Sequence, residues 1–320
     1  MPDAPPAEVD IDDRLVHALL TDQHPDLARR PLRLLGQGWD NVLYRLGDDL
    51  TIRLPRRELS AGLVVHEQRW LPALAPDLPL PIPAPVRVGR PGRGFPWSWS
   101  VQPWFDGAAA GSLGPHRPVT AAQWSALATD LGRFLAALHR PAPGDAPENP
   151  YRGGPLAERD ATTRARLIDV FADHGPATTP PPGADDAGPL APLPNPAELA
   201  ARWARAVAQP PWDGPAMWLH GDLHAHNVVV HAGVAAAVID FGDITAGDPA
   251  TDLALAFALF DNPDDRNRFQ AAADTQTRPI DDAMWSRAEG WAVSVGLAVL
   301  DNSADSPAMY RMARAMIATA

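Results

Sequence analysis

The sequence predicts an α+β protein of two lobes, with a β-rich front and a mainly helical remainder. Three observations carry this reading. Between residues 32 and 55 three short apolar runs are broken at Gly-Gln-Gly-Trp-Asp-Asn and at Gly-Asp-Asp, the pattern of two consecutive hairpins. Beyond about residue 120 the apolar residues recur at helical spacing instead. A chain of 320 residues also suits two lobes better than one compact core. The change of character near 102–108 places a lobe over 1–104 and a helical lobe over 105–320.

Taken in order, Ile11, Leu15 and Leu19 stand at fourfold spacing behind Asp10, which predicts a helix over 10–20 with Asp10 as N-cap. The two hairpins follow, then a helix over 60–74 with Ser60 as its cap. The stretch PDLPLPIPAPVRVGRPGRG is too rich in proline for a helix interior. WSWSVQPWF (97–105) reads as one more strand, leading into the connection between lobes. Trp124, Leu127, Leu131, Phe134, Leu135 and Leu138 form one stripe of an amphipathic helix. A helix over 156–173 comes next, then a Pro- and Gly-rich stretch, 175–195, expected to be a flexible loop. Asn195-Pro196-Ala197-Glu198 restarts a helix with proline in its first turn. Segments 249–262, 282–300 and 306–319 also read as helices.

Composition narrows the chemistry. There is no cysteine, so disulfides, thiolate metal sites and a cysteine nucleophile are excluded. A net charge of −12 argues against nucleic acid as a partner. The opening MPDAPPAEVDIDD is acidic and Pro-rich, unlike a signal peptide, and the longest apolar runs are too short to span a bilayer. A cytoplasmic, membrane-free protein, a monomer or weak dimer, is the expectation. Every basic residue is arginine, which removes any catalytic lysine.

HGDLHAHN (220–227) packs three histidines, an aspartate and an asparagine into eight positions. VVVHAGVAAAVID (228–240) follows as a hairpin turning at Ala232-Gly233. Pairing about that turn puts residue 227 opposite 238, and Asn227 then lies within roughly 7 Å of Asp240. An amide oxygen and a carboxylate are hard ligands that suit magnesium. Asp222, across the tight loop, is left free to face what the metal carries. In phosphoryl transfer one aspartate orients the acceptor hydroxyl while an asparagine and a second aspartate hold the metal. A zinc reading needs His224, His226 and a third ligand. Against it, His220 and His224 are expected buried and bonded to backbone, with His226 exposed.

His220-Gly221-Asp222 with Asn227, then Ile239-Asp240-Phe241-Gly242-Asp243 and GDPATDLA (247–254), resemble the aminoglycoside phosphotransferase family, whose fold is that of the protein kinases. The resemblance runs from about residue 10 to 315 except over 175–195. It implies a two-lobed kinase-like fold and transfer of the γ-phosphate of ATP or GTP, with magnesium, to a hydroxyl of a small molecule. An antibiotic of aminoglycoside or macrolide type is the implied acceptor. Asp222 would be the catalytic residue, and Asn227 and Asp240 the metal ligands. On the nucleotide side such folds need a cation on the third strand paired with a helical glutamate. Here only Arg53 is offered, with Glu67 on an inward stripe beside Leu63, Trp70 and Leu71. Arginine in place of lysine resembles the macrolide phosphotransferase branch. Gly36 and Gly38 would let backbone amides close over the phosphates. The Gln102 carbonyl and the Trp104 amide would meet a purine edge. Asp248 reads as an N-cap and Asp252 as an anchor for the catalytic loop. Asp261, Asp264, Asp265, Asp281, Asp282 and Glu289 could serve a polycationic acceptor or simply cap helices. Two alternatives remain: a metabolic or biosynthetic small-molecule kinase, and a non-catalytic nucleotide-binding pseudokinase.

Overall fold

The computed structural model describes residues 6–113, 119–172, 175, 177, 179–186, 188–304 and 306–320. Helix α1 (Asp13–Gln23) is capped by Asp12, whose carboxylate accepts from Leu15 N at 2.8 Å, not by Asp10. Strands β1 (Leu32–Gln37), β2 (Asn41–Leu46) and β3 (Leu50–Pro55) form the two expected hairpins. Helix α2 (Glu58–Leu74) starts earlier than expected, because Ser60 lies inside it with its hydroxyl on Asp40 at 2.7 Å. The Pro-rich stretch hides a short strand, β4 (Arg87–Gly89), which pairs with β5 (Trp99–Pro103). All five strands pair antiparallel in the order β1-β2-β3-β5-β4. Val16, Leu19, Tyr44, Ile52, Trp99 and Val101 fill a core between that sheet and α1.

Beyond β5 the chain gives β6 (Ala108–Ala109), α3 (Ala121–Leu138), α4 (Asp160–Val170) and α5 (Pro196–Val207). A capping box between Thr120 and Gln123 starts α3, and Leu127, Leu131, Phe134, Leu135 and Leu138 are buried on its stripe. Each such side chain contributes about 2 kcal/mol on burial. Strands β7 (Met217–Leu219), β8 (Val228–His231), β9 (Val234–Val238) and β10 (Thr245–Gly247) make two small sheets, β6-β8-β9 and β10-β7. The expected helix over 249–262 is broken at Ala254 into α6 (Ala250–Leu253) and α7 (Leu255–Leu259). Helix α8 (Pro263–Ala273) was not signalled by its thin apolar content, yet it packs along α3. Helices α9 (Asp282–Asp301) and α10 (Pro307–Thr319) close the fold, with α9 touching α4, α5, α6, α7 and α10. Leu71 and Leu74 from the end of α2 join this larger helical core, so α2 is packed from both sides.

The stretch 175–195, expected to be flexible, is fastened where it is described. Arg311 donates to the Ala184 and Gly188 carbonyls and Arg314 to those of Ala177 and Ala191, which holds it against α10. No helix among the described residues is long and apolar enough to cross a membrane.

One buried ion pair ties α9 to the start of α6. Arg287 Nε lies 2.7 Å from Asp248 Oδ2, with the two side chains 6% and 4% exposed. Asp248 Oδ1 also accepts from Ala250 N at 3.0 Å, the capping role its sequence suggested. Removing the arginine leaves a buried carboxylate unpaired. Arg287→Ala should therefore cost about 3–5 kcal/mol in urea denaturation. A loss below about 1 kcal/mol would mean the pair contributes no more than a surface ion pair.

Candidate active site

The turn Ala232-Gly233 has both residues at positive φ, 50° and 82°, as a two-residue type I′ hairpin requires. Its register carries a correction. Val228 stands opposite Val238, and an irregularity at Val229/Val230 shifts the lower half of the ladder. Asn227 therefore faces Ile239, whose N–H donates to the Asn227 carbonyl at 2.9 Å. The extra residue brings Asn227 one position nearer to Asp240 than ideal pairing about the turn. Asp240 takes φ +65°, uncommon outside glycine, at the point where the chain leaves the ladder. Its side chain is 53% exposed, and it lines the cleft together with Asn227.

The loop before the hairpin hangs from α6. Asp252, fully buried, accepts from His220 N at 2.7 Å and Gly221 N at 3.0 Å, and meets His139 Nε2 at 3.1 Å. Gly221 has φ +87°, and a Cβ there would fall 2.1 Å from the Asp243 carbonyl oxygen. His220 spends both ring nitrogens locally, Nε2 donating to the Ile239 carbonyl (2.9 Å) and Nδ1 accepting from Asp222 N (3.3 Å). His224 Nδ1 accepts from His226 N at 3.2 Å. His226 is half-buried rather than exposed, its ring lying where a Cβ on Gly111 would fall, 2.7 Å from Nε2. The imidazoles are thus committed to backbone and packing and do not converge on an ion. Among the described residues no group of three or more His, Cys, Asp or Glu side chains is set to hold a metal.

Asn227 Nδ2 donates to the Asp222 carbonyl at 2.9 Å, which locks the loop. Among the described residues no hydrogen bond engages its Oδ1, and it shares a cavity lining with Asp240. Two oxygen donors lining one cavity fit magnesium, which takes few protein ligands. Asp222 Oδ1 meets Arg152 Nη2 at 3.0 Å and its Oδ2 lies 3.5 Å from His224 Nε2. Burial pushes the Asp222 carboxyl up, yet His224 and Arg152 outweigh it and bring it down to about 2. Burial also lowers His224, so at neutral pH that ring is uncharged and Arg152 is the cation that holds Asp222 ionised. Asp243, unassigned from sequence, accepts from Asn149 Nδ2 at 2.7 Å, and burial raises its carboxyl.

Across the cleft, Arg53 on β3 stands between two carboxylates. Its Nε is 3.4 Å from Glu67 Oε2 on α2, close enough for an ion pair but not aligned as a hydrogen bond. Its Nη2 donates to Asp240 Oδ1 at 2.8 Å. The pairing of Arg53 with Glu67 expected from the sequence is present, and the bond to Asp240 was not foreseen. Gly38 lines the cleft, and its N–H closes the β1–β2 turn on the Asn41 carbonyl at 2.8 Å. Gly36 lies at the end of β1, and a Cβ there would meet nothing within 4 Å.

The strand leading to the hinge needs a second correction. Gln102 stands opposite Thr51, and the Trp104 N–H donates to the Asp49 carbonyl at 2.8 Å. In an antiparallel ladder alternate residues turn their backbone groups to the same side. Gln102 and Trp104 therefore turn their backbone groups to β3, not to a ligand, although both residues line the cavity. The Val101 carbonyl faces the other edge, where Val86 N donates to it at 2.8 Å. The same alternation turns the Pro103 carbonyl and the Phe105 N–H that way, and both residues line the cavity.

Two cavities of about 290 and 320 Å³ meet at Leu43, Arg53 and Asp240. The first runs under β3 and β5 beside Asn227; the second opens between Trp39, Leu63, Asp222 and Asp243. None of Asp261, Asp264, Asp265, Asp281, Asp282 or Glu289 lines either one. Asp265 is instead bonded to Ser125 on α3, and Asp281 caps α9.

A family profile described as the phosphotransferase enzyme family matches residues 31–291, and the chain belongs to that family. The protein is a phosphotransferase. Its fold is similar to that of an aminoglycoside 2'-phosphotransferase-IIIa solved as a GDP complex (TM-score 0.67, 17% identity, 96% of this chain and 97% of that one). It is also similar to macrolide 2'-phosphotransferase MphH from Brachybacterium faecium (TM-score 0.57, 20% identity, 95% and 97%). A macrolide 2'-phosphotransferase type I matches at TM-score 0.60 and 17% identity, over 98% and 99% of the two chains. No curated protein matches in sequence.

Burial lifts the Glu67 carboxyl to about 7, against the pull of Arg53. A carboxyl raised in the folded state stabilises fully below its unfolded value of 4.5, and that contribution is lost as the pH climbs through 7. The loss amounts to about 3 kcal/mol. Glu67→Gln, neutral at every pH, should gain on the wild type by about that much between pH 4.5 and 8 in urea denaturation. A constant difference would show that Arg53 keeps the carboxyl ionised throughout.

Proposed function

We propose that the protein transfers the γ-phosphate of ATP or GTP to a hydroxyl of a small molecule, an antibiotic in particular. The observation that carries this reading is the meeting of two cavities at Asp240, with Asn227 lining one and Asp222 the other. The cavity beside Asn227 is the nucleotide site on this reading, with the Pro103 carbonyl and Phe105 N–H facing the purine edge. Asn227 and Asp240 would hold a magnesium ion, which supplies charge neutralisation for the phosphates. Arg53 turns its fork to a phosphate oxygen in place of the usual lysine. Asp222, kept ionised, orients the acceptor hydroxyl and receives its proton as the new O–P bond forms.

The acceptor-side cavity offers both an apolar face and acidic groups. Trp39 and Leu63 line it together with Asp40, Asp222, Asp240 and Asp243. A macrolide-like ring, apolar with dispersed hydroxyls, would lie on the first, and a polycationic aminoglycoside would meet opposite charge on the second. The lining suits either class of antibiotic.

The test is a panel of macrolides and aminoglycosides with ATP and with GTP, read by the mass gain of one phosphoryl group. At least one of the two classes should be modified; modification of neither removes the antibiotic reading. Asp222→Ala should abolish transfer with nucleotide affinity nearly intact, whereas Asp240→Ala should lose both. Equal loss of nucleotide binding in the two variants would contradict the roles given to them.

A further inference from the structure

The segment after α3 does something that the phosphotransferase reading leaves unexplained. Residues 147–153 form a strap fastened at several points to the chain on both sides of β10. Thr245 Oγ1 donates to the Pro147 carbonyl (2.9 Å), and Asn149 Nδ2 to Asp243 Oδ1 (2.7 Å). Asp248 N donates to the Gly153 carbonyl (2.8 Å), and Gly153 N to Thr251 Oγ1 (3.2 Å). At its end two glycines let backbones touch: a Cβ on Gly247 would fall 2.3 Å from the Gly153 carbonyl oxygen. A strap held this closely fixes the side chain it carries, and that side chain is Arg152, on Asp222.

We propose that Arg152 is a further catalytic residue, one that places its guanidinium on the phosphoryl group as it passes from nucleotide to acceptor. The proposal rests on the reading of Asp222 as the group that orients the acceptor. Geometry comes first. A hydroxyl bonded to Asp222 lies about 2.7 Å from the carboxylate. Arg152 Nη2 is 3.0 Å from one oxygen of the same carboxylate, so guanidinium and acceptor oxygen stand within about 6 Å of each other if they share that oxygen and within about 8 Å if the hydroxyl takes the other. Donor count comes second. Arg152 spends one N–H on Asp222 and one on the Tyr151 carbonyl (3.3 Å), which leaves three of its five donors for phosphoryl oxygens. Charge balance comes third. Arg53 is already shared between Glu67 and Asp240, while Asp222 and Asp243 place two more carboxyls around the same cavity. A triphosphate entering that space needs a cation on the acceptor side, and Arg152, which stands outside the lining itself, is bonded to Asp222, which belongs to it.

In the step itself a lone pair of the acceptor oxygen forms the bond to the γ-phosphorus. The bond from that phosphorus to the β–γ bridging oxygen breaks, and its electron pair stays on the nucleoside diphosphate. The hydroxyl proton passes to Asp222. Arg152 pairs with the non-bridging oxygens, where charge accumulates, as an arginine supplied within the same chain.

The experiment needs no knowledge of the acceptor. Thermal shift is measured with Mg–ADP and Mg–GDP, each with and without aluminium fluoride, on the wild type, Arg152→Ala, Arg152→Lys and Asp222→Asn. Nucleotide hydrolysis by water is followed in parallel. Aluminium fluoride should raise the wild-type Tm beyond Mg–diphosphate alone. Arg152→Ala should keep the diphosphate shift and lose the increment, and Arg152→Lys should keep part of it. Hydrolysis in Arg152→Ala should fall at least about a hundredfold with an unchanged nucleotide KM. A full increment in Arg152→Ala, or none in a wild type that binds Mg–diphosphate, overturns the proposal. Loss of hydrolysis in Arg152→Ala but not in Asp222→Asn would remove the Asp222 reading and leave an arginine acting alone. No shift with either diphosphate would remove the nucleotide site and the proposal together.

Discussion

Arg53 joins three elements through one planar group. It leaves β3 almost wholly buried, passes Glu67 on α2 at 3.4 Å and bonds Asp240 after β9 at 2.8 Å. A lysine there would bring one compact charge on a flexible stem, whereas the guanidinium fork can face two carboxylates on different elements at once. The chain has no lysine at all, and Arg53 is the basic residue of β3 that meets both carboxylates. Glu67 is raised by burial and remains next to its counter-ion, while Asp240 is drawn below the usual carboxylate range chiefly by Arg53. Taking the arginine away would strand a buried carboxyl, and taking Glu67 away would leave half of a buried cation unbalanced.

The remaining architecture keeps the far side of the cleft still. Asp252 takes two successive backbone N–H groups from the loop 220–227, and Phe241 packs its ring 4.3 Å from that of His220. The irregular ladder at Val229/Val230 sets Asn227 against the residue before Asp240. Each is a local constraint of the kind that pre-organises charged groups before any ligand arrives. The side of the cleft next to Asp222 is held differently, by the strap 147–153, whose hydrogen bonds run to Asp243, Thr245, Asp248 and Thr251.

Much of this was legible in residue order, and the part that was not has physical reasons. Loop and hairpin could be read because Asp222, Asn227 and Asp240 lie within nineteen positions, joined by a turn whose Ala-Gly type is local. Arg53 and Glu67 could be paired because an inward-facing glutamate demands a partner. The hinge register could not be read. Pro103 suggested Trp104 as donor, but parity is set by the pairing of β5 with β3, which leaves no local trace. Nor could Arg152: its neighbours Asn149, Tyr151 and Gly153 form no motif, and its partner lies seventy positions away. Helix α8 escaped notice because Phe269 is the one large apolar side chain among its eleven residues.

From its place between Glu67 and Asp240, Arg53 would supply the cation that faces the phosphates. Calorimetric titration of Mg–ATP and Mg–GTP into wild type and Arg53→Met tests that role, with Arg53→Met/Glu67→Leu as a control free of the stranded carboxyl. Loss of a charge-assisted contact predicts that affinity for the preferred nucleotide falls on the order of 10–100-fold in both variants. Wild-type affinity in a folded double variant would contradict the account.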